Sequence, residues 1–232
     1  MGAAVADALS QRGCRIALTY RQSRKPAEEI VQRLLAQGRE AMALPCDLLD
    51  RKAIVRAASR IVRRYKHLDI LINLSSIYEE TPLNKTVASA RSWDRHLKAN
   101  AGSAYFLSLA AAPWMKRAGA GRIIHIADWT SASRRPRYKG YTPYYVSKAA
   151  IQGVTEALAL ELAPAILVNA IAPGPILPPP GLTTQESRVV VQATPLARWG
   201  GALEIAKAVL FLSETDFVTG ETIRVDGGRH LL

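Results

Sequence analysis

Hydrophobic and polar positions along this chain switch repeatedly between two periods. Residues 2–12 carry apolar side chains at helical spacing and stop at Gly13, while 15–20 (RIALTY) read as a buried strand. The alternation continues with a helix over 26–37 closed by Gly38, a short strand over 41–44, an amphipathic helix over 51–65 and a strand over 68–73. A long helical region covers 88–117, with breaks expected at Gly102 and Pro113. A strand over 122–127 (RIIHIA), a helix over 142–163 and a strand over 166–172 follow. Beyond a proline-rich loop at 173–181, helices near 184–192 and 202–213 lead to a last strand at 222–225. This order predicts an α/β fold: a Rossmann-like, doubly wound parallel sheet with helices on both faces, forming one domain over 1–232.

The beginning departs from that plan. A doubly wound domain opens with a strand, a glycine-rich turn and a helix whose N-terminus holds a pyrophosphate. Here the chain starts inside that helix, with Gly2 in the place of the turn's last glycine. The expectation is an N-terminally truncated domain with its first β-strand missing. That strand would lie at the centre of the sheet, so its two neighbours would lose a hydrogen-bond partner and an apolar cleft would open. Poor folding and weak cofactor binding are expected to follow.

Composition changes the picture little. With 232 residues, 49% of them apolar, the chain is long enough for one sizeable core. No apolar run approaches the roughly 18 residues of a membrane span. The first residues lack the cationic start of a secretory signal, and Asp7 interrupts their apolar run, so a cytoplasmic location is expected. Cys14 and Cys46 lie beside predicted strands without metal-ligand spacing, which reads as reduced core thiols and no metal site. The net charge of +12 is spread over separate groups, such as Arg60, Arg63, Arg64 and Lys66, then Arg134, Arg135, Arg137 and Lys139. No aromatic-interleaved basic motif accompanies them, so solvated helix faces and contacts to an anionic cofactor are favoured over nucleic acid.

The densest chemistry lies in Tyr144-Tyr145-Val146-Ser147-Lys148. A tyrosine and a lysine four apart share one helix face, and an ammonium beside a phenol favours the phenolate. Such a pair makes a general acid/base usable near neutral pH.

Six motifs in order resemble the short-chain dehydrogenase/reductase family over essentially the whole chain. They are Asp47-Leu48, Asn73, Asn100, Tyr144-x-x-x-Lys148, the run from Asn169 to Pro173-Gly174, and Val225-Asp226-Gly227-Gly228. The resemblance implies hydride exchange between a nicotinamide and a carbonyl or imine, with a small molecule as substrate. It makes Tyr144 the proton donor, Lys148 the ligand of the nicotinamide ribose, and Asn100 the holder of a relay water. Asp47 and Leu48 would meet the adenine, Asn73 would line the cofactor pocket, and Pro173, Gly174 and Ile176 would cradle the carboxamide end.

The family's catalytic serine position is where the chain differs. Strand 122–127 runs on into Asp128-Trp129, which resembles the pteridine reductase and dihydromonapterin reductase branch, where an aspartate replaces that serine. Further echoes are Asn73-Leu-Ser-Ser-Ile-Tyr78, Gly140-Tyr-Thr-Pro-Tyr144 and Asp226-Gly-Gly-Arg-His230. A carboxyl group suits a pterin, whose ring nitrogen gains a proton while the neighbouring carbon accepts hydride. The fifteen residues of 129–143 exceed that branch's usual spacing, which fits an insertion at 131–139. Ser131 sits at the family's generic serine-to-tyrosine distance and competes with Asp128 for the catalytic place.

Cofactor choice is read after strand 15–20, where Arg21 and Ser23 stand and no acidic residue waits for a ribose 2′-hydroxyl. They suit a 2′-phosphate, so NADPH is expected. Tyr78, Trp129 and Trp199 are candidate aromatic walls for a flat ring. Family resemblance also implies a homotetramer using the helices at 88–117 and 142–163, with the 229–232 tail against a neighbour. The expected activity is NADPH-dependent reduction of a dihydropterin or dihydrofolate-like substrate. Reduction of another carbonyl, such as a 3-oxoacyl thioester or small ketone, and a non-catalytic cofactor-sensing role are the alternatives.

Overall fold

A computed structural model describes residues 1–81, 83–84 and 86–232. Six parallel strands form two sheets. In the first, β1 (Ile16–Tyr20) pairs with β2 (Ala41–Pro45) in the register Leu18 to Ala43. The second holds β3 (Ile70–Asn73), β4 (Gly121–Ile126), β5 (Ile166–Pro173) and β6 (Thr222–Val225) in that order, with Ile72 beside Ile124 and Ile171 beside Ile223. β4 and β5 are almost wholly buried because helices cover both faces, which is why they read as continuous apolar runs.

Nine α-helices alternate with these strands among the described residues: α1 (Gly2–Gln11), α2 (Arg24–Ala36), α3 (Arg51–Tyr65), α4 (Thr86–His96), α5 (Ser103–Ala118), α6 (Trp129–Ala132), α7 (Thr142–Leu162), α8 (Thr184–Gln192) and α9 (Ala202–Glu214). α3 starts where Asp50 caps it, accepting from the Lys52 amide at 2.8 Å, and stops where Lys66 turns left-handed. It buries Ile54, Ala57, Ala58 and Tyr65, positions spaced to fall on one face. α1 lays Val5, Ala6 and Leu9 into the core shared with Ile205, Val209 and Leu212 of α9.

β1 and β3 are not hydrogen-bonded to each other. A cavity of about 490 Å³ separates them, lined by β1, β3, Val5, Leu9, Ile54 and Ala111 among others. The interrupted sheet and its apolar cleft follow the expectation; α1 nonetheless packs on the core.

Three elements differ from the sequence reading. Gly102 does not break the long helix: α4 passes through a π-helical turn, Leu97–Gly102, into α5, which also runs through Pro113. The wider turn lets Asn100 reach the 77 loop, where its Oδ1 accepts from the Ile77 amide at 2.9 Å and its Nδ2 donates to the Ile77 carbonyl at 3.1 Å. α6 is absent from the sequence reading because four residues give no periodicity; Asp128 starts it as an N-cap. A 3-10 turn, Arg229–Leu231, ends the chain, held by Arg135 on the His230 carbonyl at 3.3 Å and by Arg137 on Leu232.

Candidate active site

α7 presents Tyr144 and Lys148 on its buried face, one turn apart and aimed at the end of β4. The Tyr144 hydroxyl donates to Asp128 Oδ2 at 2.9 Å. Asp128 Oδ1 accepts from the Thr130 amide at 2.8 Å and the Thr130 hydroxyl at 2.5 Å. Lys148 Nζ donates to the Ile126 carbonyl at 2.8 Å. One carboxylate thus caps α6 with one oxygen and holds the phenol with the other.

The competing serine is not at this place. Ser131 Oγ donates back to the Asp128 carbonyl at 2.9 Å and accepts from Gln152 at 3.1 Å. Asp128 begins a helical turn, and that turn winds Ser131 away from Tyr144. The fifteen residues of 129–143 leave Asp128 and Tyr144 in contact, as expected.

The Tyr144 expectation needs a correction in its electrostatics. Burial first, and the Asp128 charge second, push the Tyr144 phenol well above its ordinary range. Lys148 Nζ lies 5.8 Å from the ring centroid and is bonded elsewhere, while Asp128 touches the hydroxyl directly. The nearer negative charge and the lost water outweigh the ammonium, so Tyr144 is held as the protonated phenol. Burial lowers Lys148 to about 8, against the pull of Asp128.

Asn100 is buried, and its side chain is bonded to the Ile77 backbone and, at 2.9 Å, to Ser147. Ser147 in turn donates to the Tyr144 carbonyl at 2.7 Å, so the π-turn, the 77 loop and α7 form one clamp. Asn73 is buried at the end of β3, donating to Ser103 at 3.0 Å and accepting from the Ser75 amide at 3.2 Å. Pro173 closes β5 and Gly174 bonds to the Val225 carbonyl at 2.9 Å. A Cβ at Gly174 would sit 2.5 Å from Asp226 Cβ, so only glycine fits there. Ile176 follows, buried beside Gly200.

The remaining cofactor candidates lie around β1 and β2, and two of them share a cavity with Asn73. Arg21 and Asp47 line a cavity of about 410 Å³ beyond β2, together with Arg56 and Arg60. Asp47 also accepts from the Leu49 amide at 2.9 Å. Leu48 and Gly2 line the larger cavity between β1 and β3, and Ser23 is an exposed residue at the start of α2. A cavity with three guanidinium groups suits an anionic nucleotide.

These features agree with three comparisons. Residues 1–230 match a family model described as enoyl-(acyl carrier protein) reductase (adh_short_C2). The chain is 29% identical over 236 residues to 3-oxoacyl-[acyl-carrier-protein] reductase FabG of Staphylococcus aureus, covering 100% of this chain and 94% of that one. It is 33% identical to an uncharacterized oxidoreductase of Mycobacterium tuberculosis, covering 98% of this chain and 87% of that one. The chain belongs to the short-chain dehydrogenase/reductase family. Among solved members, the FolM alternative dihydrofolate reductase 1 of Brucella canis, complexed with NADP, superposes with a TM-score of 0.90. That match has 28% identity and covers 100% of this chain and 90% of the other.

On this short-chain dehydrogenase/reductase scaffold, the aromatic candidates split. Tyr78 stacks on Tyr141 with centroids 4.5 Å apart and meets the Tyr144 ring edge-on at 4.7 Å. Trp129 is buried with Arg137 and Arg229 at 5.8 and 5.7 Å from its ring centroid. Trp199 donates to Ser187 on α8 at 3.0 Å. Tyr141, Arg56 and Arg60 were missed as site residues. The pair Tyr141-x-x-Tyr144 was visible as a helical spacing, whereas nothing in the sequence tied α3's outward arginines to Arg21.

Proposed function

We propose that this oxidoreductase uses NADPH to reduce a dihydropterin or dihydrofolate-like substrate. The observation that carries the reading is the 2.9 Å hydrogen bond from Tyr144 to Asp128, a carboxylate in the family's serine position. Arg21, Ser23 and Asp47 would hold the adenosine end of the cofactor, with Leu48 and Gly2 beside it. Asn73, Lys148, Pro173, Gly174 and Ile176 would hold the nicotinamide end. The bound cofactor supplies hydride to a ring carbon of the substrate's C=N bond.

The chain's own residues manage the proton. Tyr144, kept protonated by burial and by Asp128, gives its proton to the ring nitrogen as that nitrogen becomes basic. The Lys148 ammonium, 5.8 Å from the Tyr144 ring centroid, offsets part of the resulting phenolate charge, and Asp128 orients the hydroxyl. Tyr78 and Tyr141 offer aromatic faces beside Tyr144 for a flat heterocycle. Homotetrameric assembly completes the reading, with exposed Tyr105 and Leu109 on α5 and Leu160 on α7 as apolar contact area. The free thiols Cys14 and Cys46 fit a reducing, cytoplasmic setting.

A second reading, reduction of a 3-oxoacyl thioester, is favoured by the full-length similarity to FabG. The deciding experiment follows NADPH oxidation with 7,8-dihydrobiopterin, dihydrofolate and an acetoacetyl thioester in parallel. Turnover of the pterins, lost in Asp128→Ser, supports the first reading. Turnover of the thioester alone replaces it with the second.

A further inference from the structure

The loop over 131–139 carries chemistry that the proton transfer does not use. Trp129, the residue after Asp128, is buried, and two guanidinium groups lie on its indole, Arg137 at 5.8 Å and Arg229 at 5.7 Å from the ring centroid. One comes from the loop and the other from the closing 3-10 turn, so two separate segments bring cations to one ring. Neither is ion-paired with a side-chain carboxylate among the described residues; Asp226, the acid nearest Arg229 in sequence, is held by His230 at 2.7 Å. Asp128 is committed to Tyr144 and Thr130. An indole face positions a guanidinium without cancelling its charge, and leaves N–H edges for an anion. Arg134, Arg135 and Lys139 are exposed on the same loop and add to the positive field.

A path of aromatic rings joins this pair to the phenol. Tyr144 meets Tyr78 edge-on at 4.7 Å, Tyr78 stacks on Tyr141 at 4.5 Å, and Tyr141 meets Tyr138 edge-on at 6.3 Å. Tyr138, half-exposed between its neighbours Arg137 and Lys139, lies within electrostatic reach of Asp128, Arg229 and Arg137 together. Rings at the phenol end and unpaired cations at the outer end suit a flat heterocycle extended through an aromatic spacer to an anion. We infer that Arg137 and Arg229 receive a carboxylate-bearing tail of the substrate, so that the site selects a pterin joined through a benzoyl ring to a dicarboxylate over a pterin with a neutral side chain. The inference rests on the pterin reading above and narrows it to the folate-like class. Two guanidinium forks match two carboxylates, and neither fork loses its charge at any working pH.

The test titrates the full chain, with NADP+ present, by calorimetry with folate and with pteroate, which share both ring systems and differ by the glutamate. Folate is expected to bind at least about tenfold more tightly, as charge-assisted contacts imply, and the ratio should shrink as salt is raised. Arg229→Gln and Arg137→Gln should each lower the folate-to-pteroate ratio severalfold, whereas Arg229→Lys, which keeps the charge, should retain most of it. Equal affinities in the intact protein overturn the inference, as do an unchanged ratio in both glutamine variants and binding of neither probe. A folate preference that depends on the two arginines, in a protein that reduces no pterin, keeps the inference and removes the reductase reading. Turnover of 7,8-dihydrobiopterin with equal binding of folate and pteroate does the reverse.

Discussion

The two halves of this sheet are built to different tolerances. From β3 to β6 each strand hydrogen-bonds to the next, helices cover both faces, and buried polar side chains are tied across elements, although Arg122 Nε on β4 and His96 Nε2 on α4 are left without a partner. His125 bridges Ser108 and Thr155, each at 3.0 Å, and Asn169 ties β5 to the Val218 carbonyl at 2.8 Å and the Glu221 amide at 3.0 Å. The catalytic candidates sit here, on α7 and at the end of β4. β1 and β2 form a separate pair, with a cavity of about 490 Å³ on the side facing β3 and the arginine-lined cavity beyond β2. Proton chemistry needs atoms held to tenths of an ångström, which the continuous half supplies. Arg21, the proposed nucleotide contact, would act through charge, which falls off gently with distance, and it stands on the half with the open edge.

Breaking one half at a time gives the largest expected effect. Tyr144→Phe should lower kcat by roughly 10²- to 10⁴-fold while leaving 2′,5′-ADP affinity unchanged. Arg21→Gln should do the opposite, raising KM for NADPH with kcat nearly kept. Steady-state kinetics beside calorimetry check both; a loss of nucleotide affinity in Tyr144→Phe would mean that the halves are not separable.

The next effect is a pH dependence confined to the continuous half. Burial lowers His125 from 6.5 to about 4, so the folded protein holds it neutral. A depressed pKa contributes stability that is complete above about 6.5 and is lost as pH falls toward 4, because the unfolded chain takes up the proton first. At about 1.4 kcal/mol per pH unit, the loss amounts to about 3 kcal/mol. Urea unfolding from pH 7 to 4 should show this slope, and His125→Gln should flatten it. Equal slopes in the two proteins would refute the assignment.

Packing offers a gentler contrast. Ala170 on β5 is fully buried, and Ala170→Ile should cost about 1–3 kcal/mol by overpacking. Ala17 on β1 lines the open cavity, so Ala17→Ile should be neutral or stabilise by up to about 1 kcal/mol through added burial. Equal destabilisation by both substitutions, in denaturant titrations, would show that the cavity is closed in solution. The smallest perturbation is no mutation at all: native-state hydrogen exchange should release β1 amides before those of β5. Matched protection in the two strands would erase the contrast.

Much of this was legible in the chain. The strand and helix order, the Tyr144–Lys148 pair, and even the unpaired edge beside β1 follow from local periodicity and motif order, because buried parallel strands and amphipathic helices leave regular apolar patterns. Asp128 and Ser131 are both candidates on the sequence, and the structure places Asp128 against Tyr144. The Asn100 clamp was not legible, since a π-turn has no sequence period of its own. Nor was the direction of the Tyr144 shift: spacing placed the lysine beside the phenol, while burial and a residue sixteen positions away set the charge balance.

The sequence by itself determined which side chains were available and which face of each element they share, since both depend on spacing along one helix or strand. Only the tertiary structure decided which distant groups meet: Asp128 with Tyr144, Asn100 with Ile77, and the arginines of α3 with Arg21 across one cavity. The physical reason is that charge and hydrogen bonding act through space, over distances set by packing between elements rather than by their separation along the chain.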